Sequence, residues 1–196
     1  MLRTGNENPT EKQNSFPKAL IEQVELVVIV FAVIVLMFSL VARICQVSGD
    51  SMNNTLINGE NVLVSNLFYT PQKGDIIVFH QSGEGENDYN EPIVKRVIGV
   101  AGDTVRVEHQ KNGMKVTVTD KDGNSTVLEE DYARYEYPTY QDSVTYVEEG
   151  TVFVLGDNRS ESADSRSSRI GLVDTRRVLG RVVVRVTPFS RFGAVD

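Results

Sequence analysis

A serine hydroxyl attacks at neutral pH only when a base takes its proton, a donor meets the oxyanion and the substrate is held in place. In Gly49-Asp50-Ser51-Met52, Ser51 stands between a flexible glycine and a polar turn, about nine residues after an apolar run ends. Ser51 is the candidate nucleophile. Neither histidine, His80 nor His109, sits in a recognisable motif, so the base is sought among the lysines. Along Pro92-Ile93-Val94-Lys95-Arg96-Val97-Ile98-Gly99, strand alternation sets Lys95 on the face of Ile93 and Val97, and Arg96 on the face of Val94 and Ile98. One of these cations is therefore expected among aliphatic side chains. Burial lowers a lysine pKa, whereas arginine stays charged in any setting, which makes Lys95 the candidate neutral amine. To act near neutrality it must fall from about 10.4 to about 7 or 8, roughly 3 to 5 kcal/mol of differential environment. The alternative is a lysine that snorkels from a strand edge into water; pairing with Ser51 favours the buried amine.

These groups need a scaffold. Residues 1–20 are polar, with no apolar periodicity, and read as a disordered cytoplasmic tail. From Leu26 to Ala42 the chain carries no charge, and the span 21–45 has the roughly twenty residues a transmembrane helix needs. A cleavable signal peptide is the rival, but the run is long and Val41-Ala42-Arg43-Ile44-Cys45 offers no clean pair of small residues for cleavage. Arg3, Lys12 and Lys18 precede the run and Arg43 closely follows it, so charge bias places the N-terminus in the cytoplasm and residues 46–196 outside. About nine residues from Ala42 to Ser51 reach no more than about 30 Å when extended, which suits a membrane-tethered substrate.

Residues 46–196 read as short β-rich runs between turn signals, the pattern of a sandwich or barrel. Expected strands are 61–66, 75–80, 93–100, 104–108, 115–119, 125–128, 151–155 and 178–186, with a hairpin turn at Lys121-Asp122-Gly123-Asn124. Residues 83–90 form a polar loop. Tyr132, Tyr135, Tyr137 and Tyr140 read as a packing cluster over the sheet, with an exposed substrate groove as the alternative. A net charge of −7 disfavours nucleic acid as a partner. One cysteine, Cys45, excludes an internal disulfide, and with two histidines leaves too few ligands for a zinc site. No metal or other cofactor is expected.

Three segments then resemble the signature boxes of type I signal peptidases. They are Ser51-Met52-Asn53-Asn54-Thr55-Leu56, then Lys95-Arg96-Val97-Ile98-Gly99 with Gly102-Asp103, then Gly156-Asp157-Asn158-Arg159 with Ser162, Asp164, Ser165 and Arg166. Gly74-Asp75-Ile76-Ile77-Val78 lies between the first two, and the order is the family's. The resemblance implies a mostly β, signal-peptidase-like catalytic domain behind one N-terminal transmembrane helix. It implies a plasma-membrane serine endopeptidase that cuts signal peptides from exported preproteins with a Ser-Lys dyad, Ser51 as nucleophile and Lys95 as base. By the same resemblance Ser162 orients the lysine amine, Asp164 and Arg166 hold the loop as an ion pair, and Gly156 and Asp157 shape its turn. The oxyanion meets the Ser51 N–H, in the turn Gly49-Asp50-Ser51. Position 49 is glycine, as in the Gram-positive branch, so no side chain there adds a second donor. Asn54, Ile93 and Ala101 depart from the proline, tyrosine and proline common in the family. Met52 is either a core filler or a contact near substrate.

Two other readings share parts of this pattern. A self-cleaving repressor has the dyad and the β fold, but needs a DNA-binding module where this chain has an apolar span. An anchored binding module or inactive relative would keep the boxes for structure, yet has no use for a lysine among apolar groups.

Overall fold

The computed structural model describes residues 18–81, 92–111, 113–137 and 140–195; the tail before residue 18 and the whole polar loop 83–90 lie outside them. The chain divides after Leu40 into two compact units. The first contains all but the last residue of α1, Lys18–Val41, which has 24 residues and neither glycine nor proline. Its apolar side chains, Val27 and Phe31 among them, are exposed on every side. Among the described residues no helix is long and apolar enough to cross a membrane. The span 21–45 is also not one element: the helix closes at Val41, and Ala42–Gln46 is a strand, β1.

The second unit is built from antiparallel strands. β2 (Asn61–Ser65), β3 (Ile76–Phe79), β4 (Ile93–Val100), β5 (Thr104–Gln110), β6 (Gly113–Thr119), β7 (Ser125–Val127) and β8 (Ser143–Tyr146) follow β1. Then come β9 (Thr151–Leu155), β10 (Val173–Asp174), β11 (Val178–Thr187) and β12 (Gly193–Ala194). Among the described residues they form one sheet in the order β1-β2-β11-β3-β4-β9-β10, with β12 on β11, and a second in the order β7-β6-β5-β8. The chain passes between the sheets at Ala101-Gly102-Asp103. Gly102 has φ 90° and the Asp103 carboxylate accepts from the Val100 N–H at 3.0 Å, closing the corner. Gly99 is glycine for a packing reason, since a Cβ there would lie 2.6 Å from Val105 Cγ2.

Three apolar clusters make the core, and the central strands feed two each. β3 sends Ile76 and Val78 to one cluster and Ile77 and Phe79 to another. β9 divides in the same way, with Val152 and Val154 against Phe153 and Leu155. Both faces of these strands are therefore covered, which is why their sequences are unbroken apolar runs rather than alternations. On β4 this has a direct consequence. Lys95 and Arg96 point to opposite faces, and both are buried, each 3% exposed. The expectation that one cation lies among apolar groups is replaced by two buried cations with different partners.

Among the described residues no ring contact joins one of these tyrosines to another. Tyr132 lies under the Arg96 guanidinium at 4.0 Å, Tyr140 lies 4.8 Å from the Arg166 guanidinium, and Tyr135 tilts against His109. Each of these three rings has a different polar neighbour.

Candidate active site

Three segments converge on Ser51. The first is the turn after β1, where Gly49 takes φ 86° and its N–H donates to Asn58 Oδ1 at 3.1 Å. A side chain at position 49 would be strained in that conformation. The turn is fixed from across the molecule: Asn158 donates its backbone N–H to the Ser51 carbonyl at 3.0 Å and its side-chain Nδ2–H to the Asp50 carbonyl at 3.1 Å. Met52 is 1% exposed and belongs to the core cluster of Leu56, Val62 and Val64. That is the placement expected of a core filler.

The second segment is β4. Lys95 Nζ lies 2.7 Å from Ser51 Oγ and donates to the Val94 carbonyl at 2.8 Å. No carboxylate is paired with the amine among the described residues. Burial pulls the Lys95 pKa down to about 8, against the opposing attraction of Asp164 and Asp157. A minority of the amine is thus neutral near physiological pH, far more than for an ordinary lysine, and it lies against the hydroxyl it would deprotonate.

The third segment is the loop after β9. Gly156 has no room for a side chain, because a Cβ would lie 2.2 Å from Ser162 Oγ and 2.5 Å from the Ser51 carbonyl oxygen. Ser162 is buried beside Gly156, and its Oγ has no hydrogen-bond partner among the described residues. The bond from Ser162 to the lysine amine that the resemblance implies is not formed; the Val94 carbonyl occupies that role. Asp164 and Arg166 do pair, Nε to Oδ1 at 2.8 Å and Nη2 to Oδ2 at 2.7 Å. Asp164 Oδ2 also accepts from the Gly156 N–H at 3.1 Å, and Arg166 donates to the Arg159 carbonyl at 2.8 Å. The pair therefore ties both ends of the loop.

Asp157 does more than shape a turn. Fully buried, it receives Arg96 Nε at 2.9 Å and Nη2 at 2.8 Å, and Thr55 Oγ1 donates to it at 2.5 Å. One carboxylate thus joins the Ser51 turn, the Lys95 strand and the loop after β9. Arg159, 1% exposed, makes a parallel link by gripping Glu130 through two nitrogens and the Gly156 carbonyl through Nε. The roles of Arg96, Thr55 and Glu130 are absent from the sequence reading. The available signal was that a buried arginine requires a carboxylate, and Asp157 was already in view.

Ser51 and Lys95 open onto a cleft of about 270 Å³ whose walls include Ile93, Val94 and Ala163. The Ser51 N–H donates to no acceptor among the described residues, which leaves it available to an oxyanion. A larger cavity of about 470 Å³, beside Asp75 and Arg181, contains neither Ser51 nor Lys95. Among the described residues there is no cluster of metal-ligating side chains. The arrangement suits acyl transfer: a serine, a depressed amine, a free amide donor and an apolar-walled cleft.

Comparison with known proteins points the same way. The family model "Signal peptidase, peptidase S26" matches residues 20–187. Signal peptidase IB of Staphylococcus aureus strain Mu50 is 31% identical over 186 residues, covering 89% of this chain and 93% of its own length. The probable signal peptidase I-1 of Synechocystis is 34% identical over 179 residues, covering 88% and 85%. A crystal structure of a signal peptidase I from Enterococcus faecalis overlaps 59% of this chain and 98% of its own, at 29% identity and a TM-score of 0.43.

Proposed function

This chain belongs to the signal peptidase family, peptidase S26, and on that premise we propose that it removes signal peptides from preproteins with Ser51 as nucleophile and Lys95 as general base. The observation that carries the assignment of roles is the 2.7 Å contact between Lys95 Nζ and Ser51 Oγ, made by a buried amine with no paired carboxylate among the described residues. Neutral Lys95 takes the hydroxyl proton as Ser51 Oγ bonds to the scissile carbonyl carbon. The oxyanion accepts from the Ser51 N–H, and the lysine ammonium returns the proton to the leaving amine as the C–N bond breaks. Water then attacks the acyl-enzyme, again with Lys95 as base, and Ser51 is restored. Asp157, Asp164 and Arg166 hold the three segments in register, Gly156 keeps the space between them open, and Ser162 lines that space.

In this reading the apolar sequence span 21–45 anchors the enzyme in the membrane by a single pass, with the N-terminus cytoplasmic and residues 46–196 outside. The sequence span 21–45 has the roughly twenty residues that a bilayer crossing needs. The exposed apolar side chains of α1 support this, because water does not favour so much uncovered apolar surface. Ala42, the first residue of β1, pairs with Ser65, and Leu67 and exposed Phe68 follow two and three residues later. That edge of the β unit fits a lipid surface.

The test is cleavage of a preprotein by the purified full-length protein in detergent. Ser51→Ala and Lys95→Met are each expected to lower kcat/KM by at least about 1,000-fold while circular dichroism stays native. Retained activity in Lys95→Met would remove Lys95 from the mechanism.

A further inference from the structure

The cleft carries charges that the reaction does not use. Asp50 and Glu161 are exposed carboxylates on its lining, one from the Ser51 turn and one from the loop after β9. The only cation among the described lining residues is Lys95, which acts in its neutral form. In the reactive state the walls are therefore apolar at Ile93, Val94 and Ala163 and negative at Asp50 and Glu161.

Glu161 is held rather than loose. The Tyr137 hydroxyl donates to Glu161 Oε1. Tyr137 is itself clamped by buried Ser160: its N–H donates to Ser160 Oγ at 3.1 Å, and Ser160 Oγ donates to its carbonyl at 2.9 Å. One carboxylate oxygen is thus tied down, and Oε2 receives no hydrogen bond among the described residues. A carboxylate fixed in this way has already lost much of the rotamer freedom that weakens exposed ion pairs.

Resting on the peptidase reading of this cleft, we propose that Glu161, positioned by Tyr137 and aided by Asp50, makes the enzyme select peptides with a lysine or arginine within a few residues of the scissile bond. An acidic residue at the same place is repelled. The cleft is open to solvent, so the preference is a few-fold and weakens with salt.

The experiment uses full-length protein in detergent and synthetic peptides of one signal-peptide cleavage sequence. Lys, Gln or Glu is placed at single positions on either side of the scissile bond. At one position or more, the Lys peptide is expected to exceed its Gln counterpart about 3- to 5-fold in kcat/KM, with the Glu peptide below both. That Lys-to-Gln ratio falls towards one in Glu161→Gln, which keeps an acceptor for Tyr137 while losing the charge. It shrinks in Tyr137→Phe and at about 0.5 M salt. A ratio of one at every position in the unmodified enzyme, or a ratio unchanged by Glu161→Gln, overturns the proposal. Failure to cleave any peptide overturns the peptidase reading and this inference with it.

Discussion

Lys95 and Arg96 are neighbours on one strand, equally buried, and stand in opposite kinds of environment. On Arg96's face, Asp157 takes two guanidinium nitrogens, the Gly74 carbonyl takes a third, and the Tyr132 ring covers the group. On Lys95's face the amine meets a hydroxyl and a carbonyl, both neutral. Burial alone does not make a base. What separates the two is where the loop after β9 sends its carboxylates: Asp157 pairs with Arg96, and Asp164 is occupied by Arg166 and the Gly156 N–H. Lys95 is left with burial that the attraction of Asp164 and Asp157 offsets only in part, and its pKa falls to about 8. Arg96 keeps its charge and works as a clamp between segments.

The sharpest way to break this comparison is to remove the clamp. Arg96→Met leaves Asp157 buried without its cation and should destabilise the protein by about 3 to 5 kcal/mol. Chemical denaturation would measure it, and a loss under about 1 kcal/mol would show that the pair is not what joins the segments. Activity should fall in the same variant, because Thr55 and Asn158 lose a fixed neighbour on the Ser51 turn.

Much of the scaffold for this contrast was readable beforehand. Ile93–Val100 and Thr151–Leu155 match the expected strands to the residue, because Pro92 opens the first and Gly150 and Gly156 bound the second. β1 was not, since Ala42–Gln46 follows the helix without a turn residue and contains Arg43; only pairing with β2 makes it a strand. The proximity of Ser51 to Lys95, 44 positions apart, was inferred from chemistry and resemblance. Arg96 with Asp157, 61 apart, needed both faces of β4 to be covered, which alternation within one strand cannot reveal. The Ser162 bond was expected from resemblance alone, and here the lysine satisfies itself through the carbonyl of its own neighbour.

Removal of the base should have the opposite sign from removal of the clamp. Lys95→Met replaces a buried ammonium by an apolar chain and should stabilise the protein at pH 7 by about 1 to 3 kcal/mol, although activity is lost. Below pH 8 the native state bears the full cost of the buried charge. That cost fades as pH rises from about 8, the folded value, towards 10.5, the ordinary lysine value. Thermal melts of both proteins across this range should therefore converge. A gap that stays constant would mean that Lys95 titrates normally in the fold.

The most direct test is the titration of Lys95 itself, followed by NMR on full-length protein with isotope-labelled lysines, its signal identified by its absence from Lys95→Met. A neutral amine at Lys95 requires a midpoint of about 8, with the other lysines near about 10.4. A Lys95 midpoint in that ordinary range would contradict a neutral amine as the base for Ser51.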